Sequence, residues 1–307
     1  MAGPNVDLAT AQASGFIPQF WAQKALDVLR ANIVLAKLVT KDTDYAPGWQ
    51  GETLTIPYPG TFTAQAKSPD TQATIQTPVG GTSVALTLSN HQYVDFLVED
   101  VARAQANSDL LMRYVQPAAI ALANAVENSL WALYSSFTTS IGTSGTAVAA
   151  SLIRTAKQTH DTALVPPQDR SLVISPKDVI GILGDSNLQT YFAFAQQGQQ
   201  AISEGSIGKL YGYDVYESQL VPVVTGTPNS TKNLAFTPDA MMLATRPFRD
   251  PPAGSGVAVS TVQDAESGLT LRVLSQYAMG DRGVRVGFDM LWGVVKLRDA
   301  AGMVVLS

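Results

Sequence analysis

Few side chains in this sequence could carry chemistry, and their spacing does not gather them. The two histidines, His91 and His160, stand alone in a strand-like and a helix-like segment. Neither belongs to an HExxH or HxH pattern, so a metal site would have to be assembled from dispersed carboxylates. Cysteine is absent, which removes disulfides, thiolate zinc sites and cysteine nucleophiles together. Gly142-Thr143-Ser144-Gly145 lacks the spacing of a nucleophile elbow. The run Gly205-Ser206-Ile207-Gly208-Lys209-Leu210 echoes a phosphate-binding loop. However, Ser203 stands where that loop needs its first glycine and Leu210 where it needs the hydroxyl that ligates magnesium, so a tight turn feeding a strand is expected. Asn229-Ser230-Thr231 fits a glycosylation acceptor in form, yet no secretory signal precedes it, and it is read as a polar loop. No catalytic residue, metal ligand or cofactor is assigned. The sequence is not that of an enzyme by any of these signatures, and a carboxylate-dependent hydrolase is the one catalytic class the residues leave open.

Bulk properties point toward association. Hydrophobic residues make up 46% of the chain but charged residues only 15%, where soluble domains carry about 25%. A subunit enclosed by copies of itself exposes less surface to water and fills its contacts with Ala, Thr, Gln and aromatics. The net charge of −5 and the lack of any Lys/Arg run argue against dedicated nucleic-acid binding. No basic segment leads an apolar one at the N-terminus, and nowhere do about 18 apolar residues run together. Export by a signal peptide and membrane spanning are therefore not expected; intracellular assembly is.

The elements follow from periodicity. Residues 1–15 are small and polar and read as an arm. A helix is expected after Pro18, carrying Phe20, Trp21, Ala25, Val28 and Leu29 on one stripe. From Tyr45 to Val98 the pattern alternates, with Leu54, Ile56 and Tyr58 on one run and Val84, Leu86 and Leu88 on the other, as in a hairpin. Between them Pro59 to Thr82 holds only Phe62, Ile75 and Val79 as large apolar side chains. Loops inside compact domains have a median of about 4–6 residues, so this one is expected to project from the body. The longest helix is expected over 108–137, about 45 Å at 1.5 Å per residue and bent at Pro117. Residues 138–145 read as a linker. A helix near 152–164, a strand at 172–174, a helix at 176–183 and a strand at 213–217 make a separate α/β lobe. Strands return at 257–262, 269–276 and 284–294, and Val304-Val305-Leu306 is expected to pair in a sheet.

The order of several strings resembles the major capsid proteins of tailed bacteriophages, which share the HK97 fold. They are Phe16-Ile17-Pro18-Gln19-Phe20-Trp21 and then Asn32 to Val39; Gly51-Glu52-Thr53-Leu54-Thr55-Ile56-Pro57; Val98 to Gln105 leading to Ala119–Tyr134; and Gly208-Lys209-Leu210-Tyr211-Gly212-Tyr213 continuing to Ser218. The resemblance covers most of the chain. It implies an α+β, HK97-like capsid fold: an N-terminal arm and first helix (1–44), an extended E-loop hairpin (45–98), the spine helix of a peripheral (P) domain (99–148), an axial (A) domain (149–237), and a return to the P-domain sheet with C-terminal strands (238–307), part of this last segment being open to assignment to the A domain. It further implies pentamers and hexamers of an icosahedral virion shell assembled in the host cytoplasm. The implied partners are further copies of the chain, a portal protein, enclosed double-stranded DNA bound without sequence preference, and a scaffolding or decoration protein where present. With about 15 residues before the first helix, a separate scaffold or none is expected. Subunit contacts are assigned to Phe16, Phe20, Trp21, Trp49, Phe62, Lys67, Ile75, Val79, Tyr211 and Tyr213. Lys67 is the one lysine of the arm; some members of this fold weld their shells through such a lysine, while the residues themselves read as a solvated loop lysine. An encapsulin-type nanocompartment shell is the alternative.

Overall fold

A computed structural model of the chain describes residues 21–30, 33–42, 53–58, 62–80, 82–105, 110–185, 208–252, 254–264 and 267–307. In chain order the elements begin with helix α1 (residues 21–30), the short helix α2 (Leu35–Leu38) and strands β1 (Thr40–Asp42), β2 (Thr53–Tyr58), β3 (Thr82–Thr87) and β4 (Asn90–Glu99). Helices α3 (Asp100–Gln105) and α4 (Leu110–Trp131) follow, then β5 (Ser140–Gly142), α5 (Ala150–Thr162), β6 (Ser171–Ile174) and α6 (Pro176–Leu183). The remainder is β7 (Lys209–Leu210), β8 (Tyr213–Glu217), β9 (Val223–Val224), β10 (Ser230–Phe236), β11 (Met241–Thr245), β12 (Ala258–Gln263), β13 (Thr270–Ala278), β14 (Gly283–Lys296) and β15 (Gly302–Leu306).

Helix α4 is the axis of the molecule. Val115, Ala118, Leu122, Val126 and Leu130 recur every three to four residues and are all buried, the stripe that a packed helix needs. Pro117 lies inside the helix with its ring exposed, where its missing N–H removes one ladder bond. The helix tightens at its end into a 3-10 turn, Ala132–Ser136, so the helical signal expected to Phe137 stops one residue short.

Two sheets flank this helix. The first runs β1-β11-β14-β13-β12, with β4 paired to the other side of β14. Leu271, Val273, Val286, Phe288, Met290 and Trp292 point from it into the main core shared with α1 and α4. Strict alternation along β14 puts these side chains on one face. On the opposite face Met242 and Ala244 meet Leu86 and Leu88 in a smaller cluster, joined by Leu54 and Ile56 of the β2–β3 hairpin. Gly293 makes that contact possible: a Cβ there would lie 2.4 Å from the Thr87 carbonyl oxygen and 2.9 Å from Leu86 Cδ2.

The second sheet runs β5-β15-β10-β6-β8-β7, with β9 on β10. Its Val173, Leu234, Phe236 and Val304 face the main core, and Leu172, Ile174, Ala235, Met303 and Val305 face α5 and α6 on the other side. Residues 138–145, read from sequence as a linker, contain β5, which pairs in parallel with β15 (Ser140↔Val304, Gly142↔Leu306). Gly is depleted in strands, and the segment has Ile141 as its one large apolar side chain; here main-chain pairing to the last strand overrides composition. The C-terminal run is paired on both edges, to β5 and to β10. Where sequence suggested one hairpin running to Val98, the second arm divides at Leu88 and Ser89. β3 stays with β2, and β4 leaves to pair with β14 over Gly283–Trp292.

Candidate assembly interface

Polar groups inside the molecule serve the fold. Glu127, in the middle of α4 and fully buried, accepts the backbone N–H groups of Val34 and Ala36 at Oε1 (both 3.0 Å) and of Leu35 at Oε2 (3.1 Å). It thereby satisfies the donors that open α2 and ties the first segment to the central helix. Burial pushes its carboxyl above the ordinary range, against the opposing pull of those three N–H groups and of Lys37. Asp178, also fully buried, accepts from Ser175 Oγ (2.7 Å), Asn233 Nδ2 (2.8 Å) and Ser307 Oγ (2.8 Å) at one oxygen and from Val148 N (3.2 Å) at the other. This hub joins α6, β10, the end of β15 and the segment before α5.

Both histidines are structural as well. His160 is buried on α5 with its Nδ1 2.6 Å from the Tyr213 hydroxyl. Its pKa falls to about 4, first through burial and then through the nearby Arg170 cation, so the ring is neutral at physiological pH. Arg170 is held by Asp161 (2.8 Å) and by the carbonyls of Val165 (2.6 Å) and Pro166 (3.0 Å). His91 packs at a tilt against Phe248, ring centroids 4.7 Å apart, with Arg272 over the same ring at 4.4 Å. Among the described residues no three His, Asp or Glu side chains converge as metal ligands.

Surface features are more telling. From Phe62 to Gly80 every residue except Gln76 is exposed, so the described part of its own subunit leaves this stretch almost uncovered. Its tip is a turn over Ser68–Thr71, with Thr71 N (3.4 Å) and Thr71 Oγ1 (2.8 Å) donating to the Ser68 carbonyl. Pro69 followed by Asp70 at φ +61° is the pattern of a type II turn. The two arms carry no strand over residues 62–78, with Val79 forming an isolated bridge at the base, and enclose an open cleft of about 690 Å³ lined by Phe62 to Ser68, Thr71 to Thr74 and Gln76. Phe62 (68% exposed), Ile75 (94%) and Val79 (75%) stand out from it. Leaving large apolar side chains in water forgoes about 1.5–3 kcal/mol each, which marks the loop as a contact surface.

Of the contact residues assigned from sequence, Phe62, Lys67, Ile75 and Val79 lie together on this loop, exposed. Tyr211 is half exposed on the β7–β8 turn with φ +50°. Trp21 and Tyr213 are placed differently from that assignment: Trp21 is buried against the main core, and Tyr213, the first residue of β8, is buried on His160 of α5. Each fills its own subunit's interior. Phe16, Phe20 and Trp49 lie outside the described residues. Sequence reasoning passed over Tyr93 and Leu97 on β4, which are exposed while Val94, Phe96 and Val98 of the same strand face inward. The signal was available, because apolar residues on both parities of a strand imply that both faces are to be covered.

Comparisons with known proteins bear on fold. No protein-family model matches the chain, and no curated protein matches it. Solved structures do. A chain of Mycobacterium phage Che8 superposes with TM-score 0.64 at 21% identity, covering 89% of this chain and 91% of that one. The capsid of cyanophage P-SCSP1u gives TM-score 0.65 at 17% identity over 89% and 87%. A virus-like particle from Pyrococcus furiosus gives 0.55 at 11% identity over 94% and 99%. The central helix between two sheets, with a loop thrown out from the first, is thus an architecture found in shell-building subunits. Stated more narrowly, the chain has the HK97-like capsid fold.

Proposed function

We propose that this chain is the major capsid protein of a tailed phage, assembling with copies of itself into pentamers and hexamers of an icosahedral head around double-stranded DNA. The observation that carries the reading is the loop from Phe62 to Gly80, which has a defined turn at its tip, is exposed at every residue but Gln76 and is apolar at three points. Such a loop has no role in a solitary subunit. In a shell it becomes the E-loop, lying over the neighbouring subunit, with Phe62, Ile75 and Val79 covered there and the β7–β8 turn with Tyr211 turned toward the capsomer axis. A net charge of −5 suits a lining that must not hold packaged DNA tightly. Portal, scaffolding and decoration proteins are the further partners this reading entails. Lys67 is a solvated lysine of the loop in this account, and no covalent weld is needed.

The full-length superposition on a Pyrococcus furiosus virus-like particle favours a second reading, a nanocompartment shell with protein cargo. The contents of purified particles separate the two: nucleic acid for the first, a co-purifying protein for the second. The test of the shell reading itself is to replace residues 62–78 by a short Gly-Ser bridge. The hairpin base is held by Leu86, Leu88 and Gly293, so the variant is expected to fold, to unfold at the wild-type temperature within about 3 °C, and to close no particles. Intact particles from this variant would refute the assembly mechanism.

A further inference from the structure

Among the described residues two stretches of main chain have no strand partner, and they match each other. The first is the outer arm of the loop, residues 71–78. Among the described residues, the sole main-chain hydrogen bond within 62–78 is the turn bond Thr71 to Ser68, so the N–H and C=O groups of this extended arm face solvent. The second is β4. It is a ten-residue strand paired on one side to β14, and among the described residues no strand pairs with its other edge. The bond from Asp100 N to Arg282 O (2.9 Å) continues the β4–β14 ladder and sets its alternation. Residues 98, 96, 94 and 92 therefore bond to β14, and the backbone groups of His91, Tyr93, Asp95 and Leu97 point out of the open edge. Long uncovered edges of this kind are templates for a further strand.

We propose that residues 71–78 of one subunit add as a strand to the open edge of β4 in a second copy of this chain. The proposal rests on the shell reading and gives it a register. Three features fit the two surfaces. Lengths agree, at about 26 Å for the arm and about 33 Å for β4 at 3.3 Å per residue. Charge does not oppose the pairing: residues 71–79 carry no ionisable side chain, and Asp95 of β4 is already neutralised by Arg285 at 2.6 Å. Side chains also complement, since Ile75 on the arm and Tyr93 and Leu97 on β4 are exposed apolar groups, and cross-strand aromatic and β-branched pairs are favourable neighbours. The arm does not lie on its own β4 in this arrangement: seven of residues 71–78, all but Gln76, are exposed, and the chain continues into β3, which is pinned to β2 and to Gly293. Pro78, which has no N–H to donate, marks the end of the paired segment.

The native chain has no cysteine, so engineered thiols report cleanly. Subunits carrying Ala73→Cys or Ile75→Cys are co-assembled with subunits carrying Tyr93→Cys or Leu97→Cys, then oxidised and run on non-reducing denaturing gels. At least one mixed pair is expected to give a disulfide-linked dimer, absent from particles of either variant alone. Hydrogen exchange on the unmodified protein provides the second readout: the amides of Tyr93 and Leu97 are expected to slow at least tenfold on going from free subunit to shell. Intact particles in which no mixed pair links and these amides exchange as in the free subunit would overturn the proposal while leaving the shell reading in place. Protection that arises only when a different virion protein is added would overturn it too. Failure of the wild-type chain to form particles would overturn the shell reading and this inference with it.

Discussion

At the scale of single residues, the buried polar groups are fastenings of the fold, and one of them makes stability depend on pH. His160 is neutral in the folded lobe, with its pKa lowered from 6.5 to about 4 by burial and by Arg170. A depressed folded-state pKa means that its contribution is fully present above pH 6.5 and is lost as pH falls through 4, because the unfolded chain takes up the proton first. The loss amounts to about 3 kcal/mol at roughly 1.4 kcal/mol per pKa unit. Denaturant unfolding of wild type should therefore show a stability drop between pH 7 and pH 4 that His160→Gln largely abolishes, the glutamine amide still being able to meet Tyr213. Equal pH dependence in both would assign the acid sensitivity elsewhere. This pair also shows the limit of reading residues from sequence. Tyr213 in the string Tyr211-Gly212-Tyr213 looked as available as Tyr211, and only the pairing of β7 with β8 (Leu210↔Tyr213) turns it inward, a long-range fact that local spacing does not carry. Glu127 likewise gave no signal, since its three partners lie more than ninety residues away.

At the scale of elements, periodic segments were legible and pairings were not. The stripe on α4 and the alternation on β14 announce a buried helix and a half-buried strand because each buries one face over many residues. The β5 strand was hidden because, of its three residues, Ile141 alone brings a side chain to the core, too short a signal for any period to show. The division of the hairpin at Leu88 and Ser89 was hidden for a similar reason: β3 and β4 are both alternating, and nothing local says that they serve different sheets. The hairpin base is where loop and body are coupled, and Gly293 is its tightest point. A Gly293→Ala side chain would overlap the Thr87 carbonyl and Leu86, so β3 must lift off β14. The expected outcome is a subunit with wild-type circular dichroism, a stability loss of about 1–3 kcal/mol from the overpacked contact, and a lowered yield of closed particles. A wild-type particle yield would show that the loop acts independently of its seat on the sheet.

At the scale of the whole molecule, low charge, exposed apolar loop and open strand edge are one phenomenon seen three ways. A chain with 15% charged residues that leaves Ile75 and Val79 almost bare is poorly suited to solitary life in water. Enclosure by copies of itself, the function proposed above, would remove all three anomalies at once, and the chain shares its fold with capsid and virus-like-particle structures over about nine-tenths of its length. The projecting loop was visible in sequence as an implausibly long connection; its uncovered main chain was visible only in the fold. Sedimentation velocity of the purified protein, with electron microscopy of the fast fraction, tests the central claim most directly. The account predicts closed particles of uniform size in equilibrium with small capsomers. A chain that remains a monomer or dimer across pH, salt and concentration would contradict it.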